Sequence, residues 1–225
     1  MSEGLWLGIE TSGRAGGVAL LREGQIVAEQ ILPVVADASE KVLPAAERAL
    51  FAAEASPGDL AGIGVSLGPG SYTGLRIGVS TALGISSGCG AGVVGVPTLE
   101  ALVAGTGIRG IVLAAVGARR NEVFAAAYQV DGEGMRELFR PAAYTAAAVA
   151  SWASGVDGLV AVGSGRRQLA GLDVRWLPGF FDAPRPSAVA CLAAARSAGG
   201  FDTDLEPLYL RGFGAPALDE VAGGA

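Results

Sequence analysis

Short apolar blocks recur along the chain, each closed by glycine, proline or a small polar cluster. Residues 5–10 read as an apolar strand and Thr11-Ser12-Gly13-Arg14 as a turn. Residues 17–21 and 25–32 read as two more strands, joined by the tight hairpin signal Glu23-Gly24. The period becomes helical over residues 39–55, with Ser39 as the expected cap and Pro44 early enough to be tolerated or to kink the helix mildly. A buried strand at 61–66, a Gly-Pro-Gly turn, a helix over 72–87 and a strand at 93–96 follow. A third short helix, capped by Thr98, ends the series.

The series then starts again. Strands at 110–116, 122–130 and 135–139 come first, the last two joined by the hairpin Asp131-Gly132-Glu133-Gly134. A helix near 144–153, a strand at 159–162, a helix near Arg166, a strand at 172–176 and a helix at 187–198 complete it. The order strand-strand-strand-helix-strand-helix-strand-helix thus occurs twice, at an offset of about 105 residues. A duplicated βββαβαβα unit is the plan of the α/β sugar-kinase/actin/Hsp70-like (ASKHA) fold, and a single mixed α/β domain without a repeat is the competing reading. The expected division is residues 1–104 for one half, 105–214 for the other, and a small-residue-rich, flexible tail at 215–225.

Composition narrows the chemistry. A chain of 225 residues, half of them hydrophobic, suits one large domain or two small ones. There is no uninterrupted apolar run of about 18 residues and no basic-then-apolar leader, so a cytoplasmic protein that does not enter the membrane is expected. Cys89 and Cys191 lie far apart and form no CxxC pattern, which favours free thiols over a disulfide. The net charge of -6, with only Arg119-Arg120 and Arg166-Arg167 as adjacent basic pairs, argues against stand-alone nucleic-acid binding. Histidine is absent, and Lys41 is the only lysine. A Ser-His-Asp or Cys-His nucleophile and a histidine-ligated metal are therefore excluded, and so is a P-loop, because Lys41 follows Glu40. No catalytic residue, metal ligand or cofactor is expected.

The most specific string runs from Ser66 to Arg76, Ser-Leu-Gly-Pro-Gly-Ser-Tyr-Thr-Gly-Leu-Arg. It reads as a strand, a glycine-forced turn and a helix start whose donors Ser71 and Thr73 can cap. Such a start can bind an anion, or it can be a capped turn with no ligand. The segment from Gly68 to Arg76 resembles the GPGS(F/Y)TG(L/V)R signature of the TsaB family, also called YeaZ. Ile9-Glu10-Thr11-Ser12 resembles that family's opening, Gly95-Val96-Pro97-Thr98-Leu99 its GV(S/P)TL element, and Pro207-Leu208-Tyr209-Leu210-Arg211 its PxYLR ending. These matches fall in order over nearly the whole chain.

The resemblance implies a degenerate relative of TsaD, the subunit that transfers threonylcarbamoyl to the tRNA adenosine beside the anticodon. It implies a non-catalytic scaffold or activator that binds a TsaD-like catalytic subunit, supports a TsaE-like ATPase, and forms a homodimer when TsaD is absent. TsaD chemistry resembles metal-dependent chemistry on an HxxxH pair, which this chain cannot supply. Many relatives also carry a histidine before the first helix, where this chain has Ala38.

Two sets of residues follow. Glu10 stands where kinases of this fold keep a magnesium-organising carboxylate, and with Thr11, Gly68, Gly70, Ser71 and Thr73 it marks a vestigial anion or nucleotide site. The other reading of Glu10 is a strand-end carboxylate bonded to nearby backbone. On the first helix, Val42, Leu43, Ala46, Ala49, Leu50 and Ala53 share the face expected to pack on the sheet, while Phe51 projects among Glu40, Pro44, Glu47, Arg48 and Glu54. On the second helix, Ser80, Gly84 and Gly88 form one row and Gly74, Gly78, Ala82 and Ser86 another. Each interior glycine costs about 1 kcal/mol relative to alanine, so close approach of another element is expected, either within the fold or from a partner. The expected partner surface is Glu47, Phe51, Arg76, Ser80, Thr81, Gly84 and Gly88. The alternative function is an ATP-dependent small-molecule kinase of the same fold. A peptidase would need an aspartic or carboxylate-metal site, and no such pair is visible.

Overall fold

The computed structural model describes residues 4–33, 38–118, 122–132, 134–202 and 205–208. The chain carries two five-stranded sheets of the same plan. The first contains β1 (Leu5–Glu10), β2 (Ala15–Arg22), β3 (Gln25–Pro33), β4 (Leu60–Gly68) and β5 (Gly92–Pro97), in the spatial order β3-β2-β1-β4-β5. The second contains β6 (Gly110–Gly117), β7 (Glu122–Val130), β8 (Met135–Thr145), β9 (Val160–Val162) and β10 (Arg175–Trp176), in the order β10-β9-β6-β7-β8. In each sheet the first three strands form an antiparallel meander, and the fourth adds in parallel beside the first. The expected duplication is thus present as topology, and the fold is the α/β, sugar-kinase/actin/Hsp70-like one.

The first compact unit comprises the described residues of Met1–Ala101 and Ala183–Leu208. Its sheet turns one face to α1 (Ala38–Ala52) and α2 (Tyr72–Cys89). Val42, Ala45, Ala46, Ala49, Leu50, Val79 and Ala82 from these helices meet Leu5, Leu7, Ile9, Val18, Leu20, Ile63 and Val65 from the strands. The opposite face packs α5 (Pro186–Arg196), whose Val189, Ala190, Ala193 and Ala194 lie with Trp6, Leu21, Val94 and Val96. Beyond α5 the chain follows the β5 edge, where Asp202 N–H donates to the Val93 carbonyl at 2.9 Å and Phe201 stacks on Trp6.

The described residues of Leu102–Asp182 form the second unit. Here α4 (Ala146–Ala153) covers its sheet, and Phe139, Tyr144 and Trp152 make an aromatic cluster. The helix expected near Arg166 is a 3-10 turn, Ser164–Arg167, at the place where the first unit has the 18-residue α2.

Several expectations differ from what is found. The last helix, assigned by sequence to the half at 105–214, lies against the first sheet. The strand expected at 172–176 shrinks to Arg175–Trp176, with Leu172 and Val174 packed on the core from a turn. Tyr144 is the penultimate residue of β8 rather than the start of a helix. Leu43 is 46% exposed, and Ala45 takes its expected place in the core, because the helix is rotated so that 42, 45, 46, 49 and 50 face the sheet. Thr98 begins α3 (Thr98–Ala104), but its buried hydroxyl has no hydrogen-bond partner and so caps nothing. Ser39, expected as the cap, is instead the second residue of α1, while Arg119-Arg120, Tyr209 to Arg211 and the tail at 215–225 lie outside the described residues. Among the described residues no helix is long and apolar enough to cross a membrane.

Candidate functional site

The described polar side chains that are fully buried are Glu10, Thr11, Ser12, Ser66 and Thr98, and all five lie at or just past the carboxyl ends of β1, β4 and β5. In α/β sheets this is the end where ligands bind. Here the groups are turned on one another. Glu10 Oε1 accepts from Ser12 N–H at 2.5 Å and from Ser12 Oγ at 2.6 Å, and Glu10 Oε2 accepts from the Ser66 hydroxyl. Burial pushes the Glu10 carboxyl above the ordinary carboxylate value, and the two serines draw it only part of the way back. The Thr11 and Thr98 hydroxyls have no hydrogen-bond partner. Among the described residues no group of His, Cys, Asp or Glu side chains could hold a metal ion.

The turn between β4 and α2 rides directly on this cluster. Gly68 has φ +113°, a region that favours glycine, and the Gly68-Pro69 peptide is cis. Ser71 N–H donates to the Ser12 carbonyl at 2.7 Å, and Ser71 Oγ accepts from Gly74 N–H at 3.2 Å as the N-cap of α2. Two donors at the helix start, Ser71 N–H and Gly74 N–H, are thus spent within the chain. A Cβ on Gly70 would lie 2.8 Å from Ser12 Cβ, one on Gly74 would collide with the Thr11 carbonyl oxygen, and one on Gly78 with the Thr11 hydroxyl. The glycine spacing of the motif is what lets α2 cross the Thr11-Ser12 turn at backbone distance. Of the residues expected at an anion site, Glu10, Thr11, Gly68, Gly70 and Ser71 come together here, whereas Thr73 points outward and is exposed.

The other glycine row of α2 behaves differently. Nothing lies within 4 Å of a Cβ built on Gly84 or Gly88. Both face outward with Thr73, Arg76 and Ser80, while Thr81 is half-buried. The same face carries Tyr72 and Leu83, 54% and 44% exposed. On α1, Glu47 is exposed and Phe51 is 86% exposed, with Leu43 two turns earlier on the same stripe. Arg76, Ser80, Thr81, Gly84 and Gly88 therefore share α2, and Glu47 and Phe51 share the outer stripe of α1.

Sequence reasoning missed three members of these groups. Ser66 is legible as the one hydroxyl in an otherwise apolar strand, and Ser12 as the residue two positions after a strand-end carboxylate. Leu43 was hidden, because the α1 pattern fits two adjacent helical faces.

Comparison with known proteins gives a consistent picture. The family model described as TsaD, tRNA N6-adenosine threonylcarbamoyltransferase, matches residues 24–165. The tRNA threonylcarbamoyladenosine biosynthesis protein TsaB of Bacillus subtilis is 38% identical over 124 residues, 55% of this chain and 54% of its own length. The protein of the same name from Escherichia coli is 34% identical over 133 residues, 57% of each chain. The matched stretch spans about half the length of these curated relatives. Among solved structures, YeaZ from Pseudomonas aeruginosa shares the fold with a TM-score of 0.81 and 24% identity, over 92% of this chain and 99% of its own.

Proposed function

The chain belongs to the TsaD family of tRNA N6-adenosine threonylcarbamoyltransferases, where it resembles TsaB and YeaZ, and from that premise we propose that it is a non-catalytic scaffold or activator subunit in the biosynthesis of tRNA threonylcarbamoyladenosine. In this reading it works in the cytoplasm, binds a TsaD-like catalytic subunit and supports recruitment of a TsaE-like ATPase. The outer faces of α1 and α2 make the contact. The same surface closes a homodimer when the catalytic partner is absent, so the two assemblies compete.

The observation that carries the reading is the pair Gly84 and Gly88. Each costs an α-helix about 1 kcal/mol relative to alanine, and neither is needed by a neighbour in its own fold. Close approach by another helix accounts for the cost. The chemistry argues the same way. With no histidine and a single lysine, the chain lacks the imidazoles and amines of most acid–base sites. A kinase would want open donors at the start of α2, and two of them, Ser71 N–H and Gly74 N–H, are already taken by the Ser12 carbonyl and the Ser71 hydroxyl.

The test is reconstitution of tRNA threonylcarbamoylation from a TsaD-like subunit, a TsaE-like ATPase and this chain. Modification should require the chain, and Gly84→Leu should abolish both co-purification and modification without lowering the melting temperature of the monomer. Full modification without the chain, or substrate turnover by the chain alone, would overturn the reading.

A further inference from the structure

We infer that residues 201, 202 and 205–208 form a strap that opens and closes on the edge of the first sheet, and that the closed strap favours partner binding by α2. This rests on the outer faces of α1 and α2 being the partner surface. β5 is the last strand of its sheet, so its outer edge needs partners for its backbone groups. Asp202 supplies two of them. Its N–H donates to the Val93 carbonyl at 2.9 Å, and its Oδ2 accepts from Gly95 N–H at 2.6 Å, where a paired strand would present a carbonyl. Phe201 lies across Gly92, where a Cβ would run into its ring, and stacks on Trp6 with centroids 6.2 Å apart.

The other end of the strap reaches the start of α2. Leu208 N–H donates to the Leu67 carbonyl at 2.7 Å, and the Leu208 carbonyl oxygen lies 3.0 Å from where a Cβ on Gly68 would stand. Between the ends, Leu205 packs on the same core as Leu67. Gly68 opens the turn that launches α2. Ser71 N–H holds that turn to the Ser12 carbonyl from below, and Leu208 holds it from beside. The first turns of α2 then present Tyr72, Thr73 and Arg76 outward. A surface whose first turn is already ordered loses less freedom when a partner closes on it.

The strap can open without the sheet. Phe201 is 48% and Leu208 38% exposed, and among the described residues two main-chain hydrogen bonds and one carboxylate hold the segment to β4 and β5. Exposed, sparsely bonded segments open at a fraction of the free energy of global unfolding. Opening leaves the Gly68 turn with its lower hold alone. The coupling is reciprocal: if the closed strap raises affinity for the partner, the bound partner must favour the closed strap by the same factor.

The measurement is amide hydrogen exchange at Gly95 and Leu208 in the full chain, free and saturated with the TsaD-like subunit, together with the affinity for that subunit. The proteins are the wild type, Asp202→Asn, Asp202→Ala and the double variant Phe201→Ser/Asp202→Ala, with melting temperatures recorded so that only folded protein is compared. Partner binding should slow exchange at both amides of the wild type by about fivefold or more. Asp202→Ala should speed exchange at Gly95 and also at Leu208, at the far end of the strap, and should weaken binding by about fivefold, the double variant more so. Asp202→Asn keeps an oxygen that accepts from Gly95 N–H and should restore most of both. Wild-type affinity in a variant with fast exchange at Leu208 would overturn the coupling and leave the partner surface standing. So would protection of Gly95 by the partner that survives in Asp202→Ala, the mark of direct cover of the edge. Unchanged exchange at Leu208 in both alanine-bearing variants would show that these residues do not hold the strap, and would overturn it too. A wild type that does not bind the subunit at all would overturn the surface and the coupling together.

Discussion

Gly8 and Gly64 stand directly opposite each other on the parallel strands β1 and β4, and both lie beneath α5. A Cβ on Gly8 would collide with the Pro186 carbonyl oxygen and lie 2.7 Å from Ala190 N, while one on Gly64 would lie 2.5 Å from Ala193 Cβ and 2.9 Å from the Val189 carbonyl oxygen. The pair forms a flat seat into which the alanine face of α5 settles, so a helix that arrives more than a hundred residues after β1 finds one docking position. Gly8→Ala and Gly64→Ala should each destabilise the protein by about 1–3 kcal/mol through overpacking. Gly8→Ala should cost more, because it meets helix backbone that cannot rotate away. Because both changes push on α5, the double variant should lose less than the sum of the two. Urea denaturation of the four proteins measures this.

Two carboxylates, the buried Glu10 and the half-buried Glu29, should give opposite pH responses. Burial raises the Glu10 carboxyl, so the folded state holds its proton more tightly than the unfolded chain does. Its contribution to stability is full below the unfolded value near 4.5 and is lost as pH rises through the folded value. Burial acts on Glu29 in the same direction, but the Arg185 guanidinium, Ser187 and the Ser187 N–H at 3.1 Å outweigh it and leave the carboxyl lowered. That contribution is present above 4.5 and is lost as pH falls through the depressed value. Glu10→Gln should therefore flatten the decline in stability above pH 4.5, and Glu29→Gln should flatten the loss on the acid side. Denaturation midpoints from pH 3 to 9 read both; unchanged slopes would refute the assignment.

Most strands could be read from the sequence because each pairs an apolar run with its own turn residues, as in Leu5–Glu10 and the Glu23-Gly24 hairpin, where both turn residues have positive φ. The destination of α5 could not. Its pattern is alanine-rich on several sides, and what it fits is set by Gly8 and Gly64, two positions remote in sequence from α5 and from each other. The Ser66–Glu10 contact was hidden for a similar reason, since it joins the ends of two strands 56 residues apart. The glycine motif at residues 68–78 was conspicuous, but its cause was not: the Thr11-Ser12 turn beneath it becomes visible only once β1 and β4 are paired.

The glycines of α2 should separate by their neighbours. Gly74→Ala forces a Cβ against the Thr11 carbonyl oxygen, and Gly78→Ala forces one against a buried hydroxyl, so both should lower the melting temperature. Gly84→Ala and Gly88→Ala meet nothing within the chain and should stabilise the monomer, at concentrations below self-association, by about 0.4–1 kcal/mol, the gain expected when alanine replaces glycine in an open helix. Calorimetry on the four single variants checks the split. Destabilisation of the monomer by Gly84→Ala would mean that its outer face already has a neighbour within its own fold.

Phe51 offers the sharpest division between stability and association. At 86% exposure its ring contributes little to the fold, and Phe51→Ser should shift unfolding free energy by less than about 0.5 kcal/mol. If the ring enters a partner, burying roughly 150 Å² at about 25 cal/mol per Å² is worth up to about 4 kcal/mol before ordering costs. Association with the TsaD-like subunit should then weaken by about tenfold or more in Phe51→Ser. Leu43→Ser, on the same stripe with about half of its side chain already covered, should weaken it less. Sedimentation of the isolated variants should show the same order for self-association, because one surface serves both assemblies. A variant that loses the homodimer but keeps the heterodimer at full affinity would separate the two surfaces and place Phe51 in only one.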